Sequence, residues 1–303
     1  MDAGWFDYCL SDDERLGFEE KGFFIVEDAL PPAMVDNLIA VVDRLDSLYR
    51  APVGAQDTGP SPSSVINPNR PPGKLLAPHE RLNLSDFVGK DEIFLDLLDW
   101  PKTFPKVWDL LGWNIQLYHS HLTVTPPSFP DETKVHKPFG WHQDSGRLNI
   151  ELEGNPRPRV SLKIGFFLTD TRTPGCANFY IVPGSHLKNE LEYPPDGVSN
   201  PDGTLEVRVA PGTAVFFDRR LWHAASPNHS DITRKVLFYG YGYRWLRPRD
   251  DMTVSHFMDQ CDPIRQQLLG ASTGGYGYTS PSDEDVPLKT WLSGHLGTEA
   301  IAP

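Results

Sequence analysis

The residues best equipped for chemistry stand in the run Trp141-His142-Gln143-Asp144. His142 and Asp144 are two apart, and in an extended segment residues i and i+2 point to one face, so an imidazole and a carboxylate converge on one point. Alone, such a pair has an ordinary alternative as a surface couple. A third donor comes from Leu221-Trp222-His223, which follows the apolar run at 212–218. Two histidines and one carboxylate on one face of an octahedron leave three positions open, as non-heme Fe(II) oxygenases require for a cosubstrate and O2. A structural zinc would instead use four closed ligands, usually with cysteine among them.

Eleven residues after His223, Arg234 opens the apolar stretch 235–243. A guanidinium entering such a strand needs a partner, and a bidentate carboxylate is the best one. That partner is either an internal Asp or Glu or an external dicarboxylate, and the metal-binding triad favours the external one. On the segment 118–125, alternation puts His119, His121, Thr123 and Thr125 on one face, assigned inward. His121 then either touches a cofactor carboxylate or is a buried, hydrogen-bonded histidine. The run Pro183-Gly184-Ser185-His186 reads as a tight turn with a satisfied histidine, and Arg219-Arg220 as solvated surface.

These residues need a frame. Period-two alternation recurs at 115–125, 160–168, 179–182, 205–209, 214–217 and 235–243, separated by Pro, Gly, Asn and Asp clusters. Strands in succession without intervening helices predict an antiparallel sandwich or barrel, mainly β, with helices flanking it. Helical patterns fall at 11–20, at 32–48 after Pro31-Pro32, and at 93–98 and 104–111, the last closed by Gly112. A short strand is expected at 22–26, before the second helix. Residues 51–80 hold seven prolines and little periodicity, which suits a lid loop or a linker. The tail from 255 reads as one or two helices. No second core is evident, so 1–303 is expected to be one domain.

The order and spacing of three elements resemble the phytanoyl-CoA dioxygenase family of Fe(II)/2-oxoglutarate oxygenases: His142–Asp144, the turn Val182-Pro183-Gly184-Ser185-His186, and His223-Ala-Ala-Ser-Pro227-Asn228 followed by Arg234. The resemblance spans roughly residues 10–250. It implies a double-stranded β-helix, the cupin-like jelly roll. It also implies His142, Asp144 and His223 as iron ligands and Arg234 as the salt bridge to the distal carboxylate of 2-oxoglutarate, with His121 as a further cofactor contact. Asp144 implies hydroxylation, since halogenating relatives carry a small residue there. The implied reaction consumes O2 and 2-oxoglutarate, releases succinate and CO2, and hydroxylates a C–H bond of a small natural product or lipid-like substrate. Trp141, Arg147, Trp222 and Trp245 lie near the ligands in sequence and are expected at the mouth. Two other readings are a cupin-type metal site on His119 and His121 and a catalytically silent ligand-binding jelly roll. The first is short of the glutamate such a site adds, for 122–130 contains none.

Composition narrows the partners. The formal charge of the 303 residues is −13, a field that repels polyanions and argues against nucleic acid or an anionic membrane surface. Basic residues look scattered, which speaks against an acyl-CoA and for a smaller substrate. Three well-separated cysteines make no disulfide framework. The acidic N-terminus lacks signal-peptide features and no run of 18 apolar residues occurs, so a cytoplasmic protein is expected. Oligomeric state is left open.

Overall fold

The computed structural model of the protein describes residues 1–50, 75–128 and 139–301. Ser11 opens α1 (Asp12–Lys21) with a capping box, accepting from the Glu14 N–H while the Glu14 carboxylate accepts from its own. Gly22 ends the helix at φ +81°, where a Cβ would fall 2.6 Å from His186 Nδ1, so glycine lets β1 (Phe23–Val26) begin at once. In α2 (Pro32–Leu48) the buried stripe is Val35, Leu38, Val42 and Leu45, with proline at the first turn as expected. There follow β2 (Leu82–Ser85), α3 (Ile93–Leu98), α4 (Phe104–Leu111), β3 (Ile115–Thr125), α5 (Gly146–Glu151), β4 (Ser161–Phe167), β5 (Phe179–Ile181), β6 (Leu205–Val207), β7 (Thr213–Asp218), β8 (His223–Ala225) and β9 (Arg234–Tyr243). The tail carries α6 (Pro263–Leu268) and α7 (Pro287–Leu296).

Six strands form an antiparallel sheet in the order β1-β7-β4-β9-β3-β2, and β6-β5-β8 form a second. Alternation sorts the larger sheet into two faces. Ala214, Phe216, Leu237, Tyr239 and Tyr241 join the helices in the main core, while Val215, Phe217, Val236 and Phe238 pack with Phe179 and Ile181 of the smaller sheet. The helical layer is fixed by more than apolar contact. Tyr239 and Tyr241, on β9, donate their hydroxyls to the Phe94 and Leu98 carbonyls of α3 at 2.8 and 2.6 Å. Among the described residues helix outnumbers strand, 33% against 21%, so the expectation of a mainly β protein with flanking helices holds for the site-bearing sheets and understates the helical cover.

β2 (LNLS) and β8 (HAA) were not foreseen, since neither carries an aromatic or β-branched residue to mark it as a strand. The helix α5 was also unforeseen; the chain turns into it directly after Asp144, through Ser145 at φ +70°. The expected lid falls mostly on 51–74, outside the described residues. Its end is tied down: Leu76 is buried and donates its N–H to the Tyr49 carbonyl, and Arg50 donates to the Ala77 and Glu80 carbonyls. Among the described residues no helix is long and apolar enough to cross a membrane.

Candidate active site

His142 and His223 exchange backbone hydrogen bonds, each N–H donating to the other's carbonyl at 3.0 Å, which makes an isolated antiparallel bridge. Directly opposed residues present their side chains to the same side, and the two rings lie 4.3 Å apart. Each imidazole is oriented by its own loop. Nδ1 of His142 lies 2.8 Å from the Gly140 carbonyl, and Nδ1 of His223 lies 2.8 Å from that of Leu221. A carbonyl only accepts, so Nδ1 carries a proton in both rings and Nε2 is the nitrogen each ring has left to offer a ligand.

Asp144 completes the group. Its N–H donates to the Arg219 carbonyl, and its own carbonyl accepts from Asn149 of α5. Ligand atoms of His142, Asp144 and His223 all lie within 4.8 Å of one another, the sole such cluster among the described residues. Oδ1 of Asp144 accepts from Lys163 Nζ at 2.9 Å, whereas the buried Oδ2 has no hydrogen-bond partner and lies 4.0 Å from His223 Nε2. Burial pushes the Asp144 carboxyl up, but the charge and hydrogen bond of the Lys163 ammonium outweigh it and hold it below the usual carboxylate range. Burial, with the neighbouring His142, lowers His223 to about 3. Two imidazole nitrogens and one ionised carboxylate with a bare oxygen, converging on one point, fit a divalent first-row metal.

The triad borders a cavity of about 560 Å³. Along one wall, Arg234 lies opposite Thr125 in the β3–β9 register, and Arg81 immediately precedes β2, whose pairing brings it level with the same threonine. Arg234 is buried over the Phe167 ring, its Nε has no hydrogen-bond partner, and Thr125 Oγ1 is likewise buried and unpartnered. Burial, with Arg81 nearby, lowers the Arg234 guanidinium to about 9. A cation left so costs stability unless an anion arrives. His121 stacks on Phe238 at 4.5 Å with its Nδ1 unpartnered, and burial followed by the Lys163 charge holds it neutral. His119 is locked differently: Nδ1 lies 2.6 Å from Asp250, whose second oxygen accepts from the N–H and hydroxyl of Ser120. Neither His119 nor His121 belongs to the one cluster of three or more converging ligand atoms among the described residues.

The family model of phytanoyl-CoA dioxygenase (PhyH) matches residues 18–236. The chain belongs to the phytanoyl-CoA dioxygenase family. Among curated relatives it is 27% identical over 139 residues to dioxygenase cdmA of Talaromyces verruculosus, covering 45% of this chain and 43% of that one. It is 24% identical over 263 residues to ectoine dioxygenase of Bordetella parapertussis, covering 78% and 77%. The chain thus spans less than half the length of the first of these relatives. HygX from Streptomyces hygroscopicus, solved with nickel and 2-oxoglutarate bound, superposes with a TM-score of 0.55 at 16% identity over 79% of this chain and 89% of that chain. That likeness shows the fold, a jelly roll.

Within this family frame the sequence motifs acquire positions. The turn at 182–186 supports the strand that carries His223: Ser185 Oγ accepts from the Trp222 N–H at 2.9 Å and the Val182 N–H donates to the Trp222 carbonyl. Three expected mouth residues fall outside the cavity lining. Trp141 is buried in packing. Arg147 lies on α5, 76% exposed and paired with Glu151 one turn on, and Trp245 is half exposed and stacked on Tyr243. Trp222 does not line the cavity either. Arg219 and Arg220, expected on the surface, are buried: Arg220 pairs with Asp218, and Arg219 bonds Asn149 and the Pro158 carbonyl.

Several cavity residues went unread in the sequence, chiefly Lys163, Arg81, Arg249, Asn83 and Phe238. Lys163 carried the signal that marked Arg234, a lone charge inside an apolar strand. Arg81 and Arg249 lie outside strands and had none.

Proposed function

We propose that this protein is a non-heme Fe(II)- and 2-oxoglutarate-dependent dioxygenase that hydroxylates a C–H bond of a small molecule. The observation that carries the reading is the pairing, in one cavity, of a converging His-Asp-His donor set with a buried arginine that has no acidic partner among the described residues. Both unmet needs are answered by one metal ion and one dicarboxylate. When bound, Fe(II) and 2-oxoglutarate supply the redox chemistry, in which O2 is consumed, succinate and CO2 are released and one oxygen atom enters the substrate.

The residues bind and orient. His142 and His223 offer Nε2 and Asp144 offers Oδ2 to the metal. Arg234 donates to the 5-carboxylate, with the Thr125 hydroxyl and Arg81 beside it, and His121 forms the wall between that end and the metal. The cavity falls in the range of small-molecule sites, roughly 300–1,000 Å³. Arg81, Lys163 and Arg249 on its walls gather basic residues that look scattered in the sequence, and they favour a polar, acid-bearing natural product over a neutral lipid. Three free cysteines, two of them buried, support a reducing compartment, the cytoplasm.

The test is direct. Purified protein given Fe(II), ascorbate and 2-oxoglutarate forms succinate, and 2-oxoglutarate raises its melting temperature in the presence of metal. Replacing both His142 and Asp144 by alanine abolishes metal retention, read by elemental analysis. Metal retained by that double variant moves the site elsewhere, and absence of both succinate and a thermal shift sinks the reading.

A further inference from the structure

Lys163 stands in the middle of β4, opposite Phe217 of β7 on one side and Gly240 of β9 on the other. It is 6% exposed. A buried ammonium is expensive unless it is paired, and the partner supplied is a single atom, Oδ1 of Asp144 at 2.9 Å. Gly240, opposite Lys163, lies against the lysine stem, where a Cβ would meet Lys163 Cγ at an ordinary 3.5 Å and would crowd the His119 carbonyl oxygen at 3.0 Å. The two oxygens of Asp144 are thereby made unlike: Oδ1 is engaged by the lysine, and Oδ2 is left bare on the side of His223.

A carboxylate ligates a metal through one oxygen or through two. In a six-coordinate site with three protein donors, three positions remain, enough for a two-point cosubstrate and O2. Two-point ligation by Asp144 would remove one of them. We propose that Lys163 is a positioning residue that holds Oδ1 away from the metal, confines Asp144 to one-point ligation through Oδ2, and so keeps the third position open. This inference rests on the dioxygenase reading.

Mn(II) serves as the probe, with water-proton relaxation counting its exchangeable waters and calorimetry measuring 2-oxoglutarate binding to the Mn(II)-loaded protein. In Lys163→Met the Mn(II) affinity is kept or raised, because a nearby positive charge is gone. The inner-sphere relaxation falls by about one third, one water of three, and 2-oxoglutarate binds at least tenfold more weakly. Lys163→Arg, which retains the cation, restores both. Should Lys163→Met not fold, Lys163→Gln carries the same expectation. Unchanged water relaxation in the uncharged variant overturns the proposal, including the case where 2-oxoglutarate affinity alone drops, since that would make Lys163 a direct cosubstrate contact. Failure of the unmodified protein to bind Mn(II) and 2-oxoglutarate is a different result, which overturns the dioxygenase reading and this inference with it.

Discussion

At Asp144 the two oxygens of one carboxylate have different surroundings, and at Arg234 a buried guanidinium has no acidic partner among the described residues. The second of these gives a clean residue-scale prediction. Charge-assisted hydrogen bonds contribute roughly 1.5–3 kcal/mol, so Arg234→Met is expected to weaken 2-oxoglutarate binding by about 10- to 150-fold. The same variant leaves 2-oxovalerate, which has the same carbon chain without the distal carboxylate, nearly unaffected. Titration of both ligands into Mn(II)-loaded protein decides it, and an equal loss for the two would remove Arg234 from the distal carboxylate. Both Arg234 and Lys163 were visible in principle as charges inside apolar strands. What the charge faces depends on a partner strand, so the signal for Lys163 could not name Asp144.

Among the elements, β9 does the most positioning. Its outer tyrosines fasten it to α3, and its inner face presents Arg234 and Phe238 to the cavity. Phe238 lies flat against His121 because its β4 neighbour is glycine: a Cβ at Gly165 would fall 2.9 Å from the Phe238 ring. Gly165→Ala therefore displaces the ring or the strand, with an expected loss of about 1–3 kcal/mol and weaker 2-oxoglutarate binding, measured by denaturant melts and calorimetry. Wild-type values for both would show that the ring has room to spare. Long strands such as β3 and β9 were legible because alternation accumulates over ten residues. The short β8, which carries His223, was not; its place is set by pairing with β5 and by the turn at Ser185.

Across the whole molecule, an acidic chain encloses a basic cavity, and its buried histidines make the fold acid-sensitive. Burial holds His119, His121 and His223 below their ordinary value of 6.5. The unfolded chain takes up protons near 6.5 that the folded chain refuses, so stability is full above that pH and is lost as pH falls. Asp144, also depressed, extends the loss below the ordinary carboxylate range. For metal-free protein the three histidines together contribute a decrease of up to ~4 kcal/mol between pH 7.5 and 5.5, at about 1.4 kcal/mol per group and pH unit. Denaturant midpoints in chelator at the two pH values measure it, and His121→Phe should flatten the slope. A pH-independent midpoint would mean that these rings are not held neutral.

The sequence by itself determined the donor types, their spacing, the alternating strands and the arginine that follows the second histidine, because each of these is local: period-two geometry and the cost of a charge in an apolar run act over a few residues. The tertiary structure alone decided that Lys163 meets Asp144 across 19 residues, that Arg81 and Arg234 face one cavity, and that Trp141, Arg147 and Trp245 do not line it. Those outcomes depend on the register between distant strands, which is set by burying both faces of the sheet at once and leaves no mark in any single segment.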